Sequence, residues 1–351
     1  MKLVDKTMRC AIVKRIAVDF VIVIMITLLS SCVKETSTNP DDFGYTSGII
    51  TFTAYEDSSQ TDLEIFLIDR ESFSPEIFNI SNSITDDYQP VWLYNRNALA
   101  YIASTNIQSS INKVNPLTLE QYTLLTVNER ISKIAASPTE PKLAYIQTIS
   151  GQSEFALNVL DIETLDTLRL STISPNNNPL LAWSTDGAKL AVSSGVVMIF
   201  DGATNGLLHH INTSADYMDW DLGAEKIYVI RSGDLFLVDT LSEFSILTGF
   251  GLSYPTISPN RKYMAAISQT RGNELIVIDL ITESFEGVKQ VAVPSTVNGD
   301  NRLIGWSPNS RQISFIDLAD NLWSIYIADE DYAYDAVRLT DDLTLKKALI
   351  W

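Results

Sequence analysis

Only two cysteines and two histidines occur in the 351 residues of this chain. Cys10 and Cys32 both lie near the amino terminus, so everything beyond residue 32 must be stable without a disulfide. His209 and His210 are adjacent in a stretch that reads as a strand, where successive side chains point to opposite faces. They are badly placed to share a metal, no third histidine exists, and both are expected as exposed edge-strand residues. A phosphate-binding glycine loop, a dinucleotide fingerprint and a nucleophile elbow are also missing; Gly251-Leu252-Ser253-Tyr254-Pro255 fails at its last glycine. The acidic pairs Asp86-Asp87 and Asp341-Asp342 lack the alternating spacing of a calcium loop and read as solvated turns. Basic charge is scarce, with 25 Lys and Arg against 43 Asp and Glu and a net charge of −18, which argues against nucleic-acid partners. No long stretch keeps a period of 3.6, so long helices are not expected.

One apolar run stands out, Phe20 to Leu29, preceded by Lys2, Lys6, Arg9, Lys14 and Arg15 and followed by Ser30-Ser31-Cys32. It is shorter than the roughly 20 residues a bilayer span requires, and Asp19 interrupts it, so it reads as a secretory signal. Met8 would serve equally well as the start. Leu29-Ser30-Ser31-Cys32 resembles the lipobox of bacterial lipoproteins. That resemblance implies cleavage before Cys32, attachment of diacylglycerol to its thiol, and a lipid-anchored protein of the bacterial envelope, at the outer membrane. Residues 1–31 are then the signal peptide, and 32–47 the lipidated cysteine and a polar, flexible tether containing Pro40. The brief Lys34-Glu35 pair is a weak hint of surface display.

From residue 48 onward, runs rich in Ile, Val, Tyr, Phe and Thr alternate with turn residues. Two markers recur. Trp92, Ala136, Trp183, Trp220, Ile257 and Trp306 stand at one fixed offset before short, mostly apolar runs beginning at Leu99, Leu143, Leu190, Ile227, Met264 and Ile313. Asp69, Asn115, Asp161, Asp201, Asp239, Asp279 and Asp329 each close a further strand. A repeat of about 43 residues fits four short strands with their turns, one blade of a β-propeller. The Trp series is expected to wedge between neighbouring sheets as core, and the Asp series to start turns by bonding backbone amides two residues on. Trp323 falls outside the anchor series and is expected in a blade-seven loop, exposed to solvent.

The peptides Trp183-Ser184-Thr185-Asp186-Gly187, Ile257-Ser258-Pro259-Asn260 and Trp306-Ser307-Pro308-Asn309 resemble the W-S-P-D-G turn of the TolB-like, WD40-like (PD40-type) propeller family, with Ala136-Ser137-Pro138 a weaker copy. The resemblance covers residues 48–351 and implies that this turn joins the first and second strands of a blade. Blades 2 and 5 have lost its letters. The chain ends in an anchor strand, Lys346 to Trp351, and the propeller begins at Ile49 with a second strand that has no anchor before it. Each end supplies what the other lacks. The expected fold is all-β, a seven-bladed propeller of four-stranded blades, closed by the C-terminal strand joining the N-terminal blade.

Function is less legible. No catalytic constellation, cofactor or metal is expected, and the ligand-binding residues are unknown. The segments 103–110, 147–154, 268–274 and 317–323, between second and third strands, should gather on one face as a working surface. The expected protein is a lipid-anchored, non-catalytic binding or scaffolding module, held to the bilayer through Cys32 and contacting another envelope protein, as the family resemblance implies. The alternative is an envelope enzyme processing carbohydrate or peptide with acids in the central channel.

Overall fold

The computed structural model describes residues 48–55, 63–70, 76–174, 179–293, 302–320, 322–329, 335–340 and 346–351. The chain divides into two compact units, Met1–Asp42 and Phe43–Trp351. The signal sequence, Cys32, the tether and Asp341-Asp342 lie outside the described residues.

The strands form seven antiparallel sheets of four. Blade 1 pairs β28 (Lys346–Ile350), β1 (Ile49–Tyr55), β2 (Leu63–Asp69) and β3 (Ile77–Asn79). Blade 2 is β4 (Asp86–Trp92), β5 (Leu99–Ser104), β6 (Ser109–Val114) and β7 (Gln121–Val127), and blade 3 is β8 (Ile131–Ala136), β9 (Lys142–Thr148), β10 (Phe155–Asp161) and β11 (Thr167–Ile173). Blade 4 follows with β12 (Leu180–Trp183), β13 (Lys189–Ser193), β14 (Val197–Asp201) and β15 (Leu207–Ile211). Blade 5 is β16 (Tyr217–Trp220), β17 (Ile227–Arg231), β18 (Asp234–Val238) and β19 (Glu243–Leu247). Blade 6 is β20 (Leu252–Ile257), β21 (Tyr263–Ser268), β22 (Glu274–Asp279) and β23 (Phe285–Gln290). Blade 7 is β24 (Ile304–Trp306), β25 (Gln312–Ala319), β26 (Leu322–Asp329) and β27 (Asp335–Arg338). This is the seven-bladed propeller expected from the repeat, closed where β28 pairs with β1.

A single blade buries neither face alone, and the apolar clusters accordingly lie between blades. Ile65 and Leu67 of blade 1 meet Leu99 and Tyr101 of blade 2; Ala191 and Val197 of blade 4 meet Trp220 and Val229 of blade 5. Another cluster runs from Val277 in blade 6 through Trp306 and Phe315 in blade 7 to Phe52 and Leu349 in blade 1. The second strands β5, β9, β13 and β21 are buried almost throughout, whereas the fourth strands β7, β11, β15, β19 and β23 are largely exposed. Fourth strands are therefore outermost. In blades 2 to 6 the register between third and fourth strands shifts once, a bulge that breaks up the free edge.

The anchor residues do more than fill space. Trp183 donates its indole N–H to Ala135 O at 3.0 Å, Trp220 to Ala182 O at 2.9 Å, and Trp306 to Thr256 O at 3.1 Å. Each acceptor is the residue just before the anchor of the preceding blade, so the bonds link consecutive first strands around the ring.

Five of the seven residues in the Asp series cap turns as expected, and the turns that follow Asp69 and Asp329 run outside the described residues. Asp161 Oδ1 accepts from the amides of Glu163 and Thr164, and Asn115, Asp201, Asp239 and Asp279 repeat the arrangement. Backbone hydrogen bonds hold the carboxyls of Asp161, Asp201 and Asp279 below the usual aspartate range, and the Ser242 hydroxyl leads the same effect at Asp239. The fifth residue of the turn is left-handed: Leu119 at φ 60°, Leu165 at 63°, Asn205 at 59° and Glu283 at 59°. Asparagine adopts this conformation more cheaply than leucine. Leu165 is half-exposed and contributes little burial. Leu165→Asn is thus expected to raise stability by about 0.5 kcal/mol, read as a higher urea midpoint; a lower one would contradict the strain.

Candidate functional site

Strands alternate in direction, so each blade has one end carrying its first-to-second and third-to-fourth turns, and one carrying the loop between second and third strands. At the turn end the W-S-P-D-G-like letters are structural. Ser184 Oγ donates to Asp186 Oδ1 at 2.6 Å and accepts from Lys189 N at 2.8 Å; Ser258 with Asn260 and Ser307 with Asn309 do likewise. The Lys142 and Lys189 ammonium groups bond Gly202 O at 2.5 Å and Ala224 O at 2.7 Å, each stitching its blade to the next.

The opposite end carries the loops between second and third strands, with departures from the expected lengths. In blade 2 the loop is tight, spanning Thr105 to Gln108, with Thr105 N bonded to Gln108 O at 2.8 Å. In blade 6 it holds a 3-10 turn, Gln269–Arg271. The expectation of a loop over 317–323 is corrected: β25 and β26 extend through most of it and pair as far as Ala319 with Leu322. Trp323 is corrected with it. It pairs opposite Leu318 inside that hairpin, partly buried against the cluster of blades 6, 7 and 1, because the second and third strands of blade 7 are longer than those of its neighbours.

A second correction concerns Asp86-Asp87. The pair opens β4, and Asp87 is fully buried rather than solvated. Its carboxyl accepts from Ser83 Oγ at 2.9 Å and Thr85 Oγ1 at 2.7 Å. The fully buried Glu64 of β2 lies beside it, accepting from Ser81 Oγ at 2.5 Å and Ser83 N at 3.2 Å. Burial pushes the Asp87 carboxyl up from 3.8 to about 7, with the Glu64 charge adding to the rise against the hydroxyl hydrogen bonds. Tyr101 closes the cluster; burial, then the Asp87 charge, raises its phenol. The segment Ser81–Thr85 that wraps these groups carries Ile84, which is 94% exposed.

Nearer the axis, the first strands of blades 1, 2 and 6 bulge three residues before the anchor. Gln89, Tyr254 and Ala348 sit there at φ 56°, 51° and 49°. The Pro90 carbonyl beside one bulge accepts from Arg302 Nη1 of blade 7 at 3.0 Å, and Tyr88 Oη donates to Ile131 O of blade 3 at 2.8 Å. These bonds brace the inner ring across blades.

A groove of about 240 Å³ opens between blades 4 and 5, lined by Lys189, His209, Trp220, Glu225 and Thr240 among others. Pockets for small organic ligands usually measure about 300–1,000 Å³. His209 and His210 are both exposed on the outer strand β15, paired opposite Ile199 and Met198, as expected of edge-strand residues. No group of three or more His, Cys, Asp or Glu side chains placed to hold a metal occurs among the described residues.

Compared with known proteins, the sequence matches no protein family and no curated protein. Solved structures do match. TolB from Acinetobacter baumannii superposes with a TM-score of 0.57 at 12% identity, over 88% of this chain and 67% of that one. An oligogalacturonate lyase in complex with manganese gives 0.62 at 13% identity, over 81% of this chain and 86% of that one. The β-propeller domain of the trilobed protease from Pyrococcus furiosus, which has an open velcro topology, gives 0.54 at 14% identity, over 73% and 83%. The fold is a TolB-like β-propeller. At these identities the likeness is one of architecture, and the matched proteins include enzymes.

Proposed function

We propose that this chain is a lipid-anchored, non-catalytic propeller of the bacterial envelope that presents the loop ends of its blades to a protein partner. The observation that carries the reading is where the chain joins the disc. Gly48 leads into β1, a second strand, and second strands start at the turn end of their blades. The loops between second and third strands lie at the opposite end. The described chain thus enters the disc at the end opposite these loops, which leaves the loops clear of the entry point. The TolB-like architecture agrees with an envelope location, and the negative net charge of −18 agrees with a protein rather than a nucleic-acid partner.

The test has two arms. Cys32→Ala is expected to abolish incorporation of a clickable fatty acid and release the protein from membranes; persistent labelling would refute the anchor. A photo-crosslinking residue at Ile107 on the loop side is expected to trap a discrete envelope protein, and the same residue at Leu241 on the turn side is not. Equal yields at both sites, together with turnover of oligosaccharides or peptides, would favour the enzymatic alternative.

A further inference from the structure

Asp87, Ser83 and Thr85 form a triangle of oxygens whose hydrogens can be counted. Ser83 Oγ lies 2.9 Å from Asp87 Oδ2, Thr85 Oγ1 lies 2.7 Å from Asp87 Oδ1, and the two hydroxyl oxygens lie 2.7 Å from each other. Each of these three contacts is a hydrogen-bond distance and requires one hydrogen. An ionised Asp87 brings none, so the two hydroxyls supply two hydrogens for three contacts, and one pair of oxygens faces lone pair to lone pair. A protonated Asp87 brings the third. Its O–H then donates to Thr85 Oγ1, Thr85 to Ser83 Oγ, and Ser83 back to Asp87 Oδ2, which closes the ring. Thr85 N also donates to Ser83 Oγ at 3.1 Å, which fills that oxygen's remaining acceptor capacity.

The surroundings favour the same state. Asp87 and Glu64 are fully buried. Among the described residues, the groups bearing on Asp87 are Glu64 of β2, Tyr101 of β5, and the Ser81, Ser83 and Thr85 hydroxyls of the connecting segment, and none of these is a cation. Glu64 accepts from the Ser81 hydroxyl and the Ser83 amide, so an ionised Asp87 beside it would be a second buried negative charge met by neutral hydroxyls. The two carboxyls divide the connection between blades 1 and 2: Glu64 holds its start at Ser81 and Ser83, and Asp87 clasps its end at Ser83 and Thr85. Between the clasps Ile84 projects into solvent.

We propose that Asp87 is held as a neutral carboxylic acid near neutral pH, and that its ionisation unclasps the Ser81–Thr85 crossover, making this connection a pH-sensitive latch between blades 1 and 2. The reaction is a simple acid dissociation, Asp87 O–H giving its proton to water. The sign follows from the folded chain holding this proton more tightly than the unfolded chain does. The ring's contribution is complete below about pH 4, is lost as pH rises towards 7, and does not change further above that.

Hydrogen exchange of the Thr85 amide, corrected for the intrinsic rate, tests the latch on the full-length protein. Protection is expected to fall at least about tenfold between pH 5 and pH 8. In Asp87→Asn the side-chain amide donates to one hydroxyl and accepts from the other, so protection should stay high and flat across that range. A wild-type profile that is flat, or a variant profile as steep as the wild type, overturns the proposal. Should Asp87→Asn fold poorly, infrared spectroscopy of the wild type decides alone. A carboxylic-acid carbonyl band present at pH 6, where ordinary carboxyls are ionised, and lost as pH passes 7 supports the ring; its absence at pH 6 refutes it.

Discussion

Trp220→Ala is expected to cost about 4–5 kcal/mol of stability, near the top of the range for a buried aromatic truncated in place. The side chain is fully buried between blades 4 and 5, among Ala182, Ala191, Val197 and Val229, and its indole N–H is spent on Ala182 O at 2.9 Å. Truncation leaves a cavity between two sheets that are themselves pinned to their other neighbours, so little collapse can fill it. The comparison that makes the prediction sharp is Trp92→Ala, at about 2–3 kcal/mol. Trp92 occupies the same place in blade 2 but is only half-buried, with the Arg96 guanidinium 4.6 Å from the centre of its ring, and its indole N–H makes no hydrogen bond among the described residues. Urea unfolding of the two variants measures both. Equal losses would mean that the anchor position, and not its burial and hydrogen bond, sets the cost.

Blade number, strand order and ring closure were legible because they depend on marks that repeat: an anchor at a fixed offset, and an Asp or Asn wherever a third strand meets its turn. Asp87 was not, because a pair of adjacent acids ordinarily faces water. A signal did exist. Counted back from the anchors, Asp87 stands five residues before Trp92, and the same position is Ile131 in blade 3 and Leu252 in blade 6, both buried. Aligning the repeats on their anchors puts the acid at a core position. Trp323 escaped for a related reason: the repeat defines the two ends of a strand pair but not its length, and blade 7 extends its hairpin beyond those of the other blades. Nothing comparable marks the loop ends of the blades, whose sequences differ from one another, so the residues proposed to face a partner have no internal pattern from which to be read.

Deleting residues 346–351 is expected to abolish folding to a soluble monomer, a larger effect than any single substitution. The segment supplies β28, the first strand of blade 1, and with it Leu349 and Trp351 in the cluster that joins blades 6, 7 and 1. It also supplies the Leu349 amide that bonds Arg302 O at 2.9 Å and the Trp351 ring that receives the Arg70 guanidinium at 4.8 Å. Without it β1, with Ile50, Phe52 and Ala54 at its centre, becomes a free apolar edge, the kind of edge that recruits other chains. The propeller domain of the trilobed protease has an open velcro topology, so closure is not a general requirement of the architecture and the outcome is a real test. A circular permutant separates loss of the strand from loss of the covalent order. Joining Trp351 to Ile49 by a linker as long as the stretch between Trp92 and Leu99 makes blade 1 contiguous. New ends then fit at Gly151 in the blade 3 loop, where the backbone has open space around it. The permutant is expected to keep the parental urea midpoint within about 1 kcal/mol of stability. A truncated chain that remained monomeric with an unchanged transition would show that the core between blades 6, 7 and 1 holds without its closing strand.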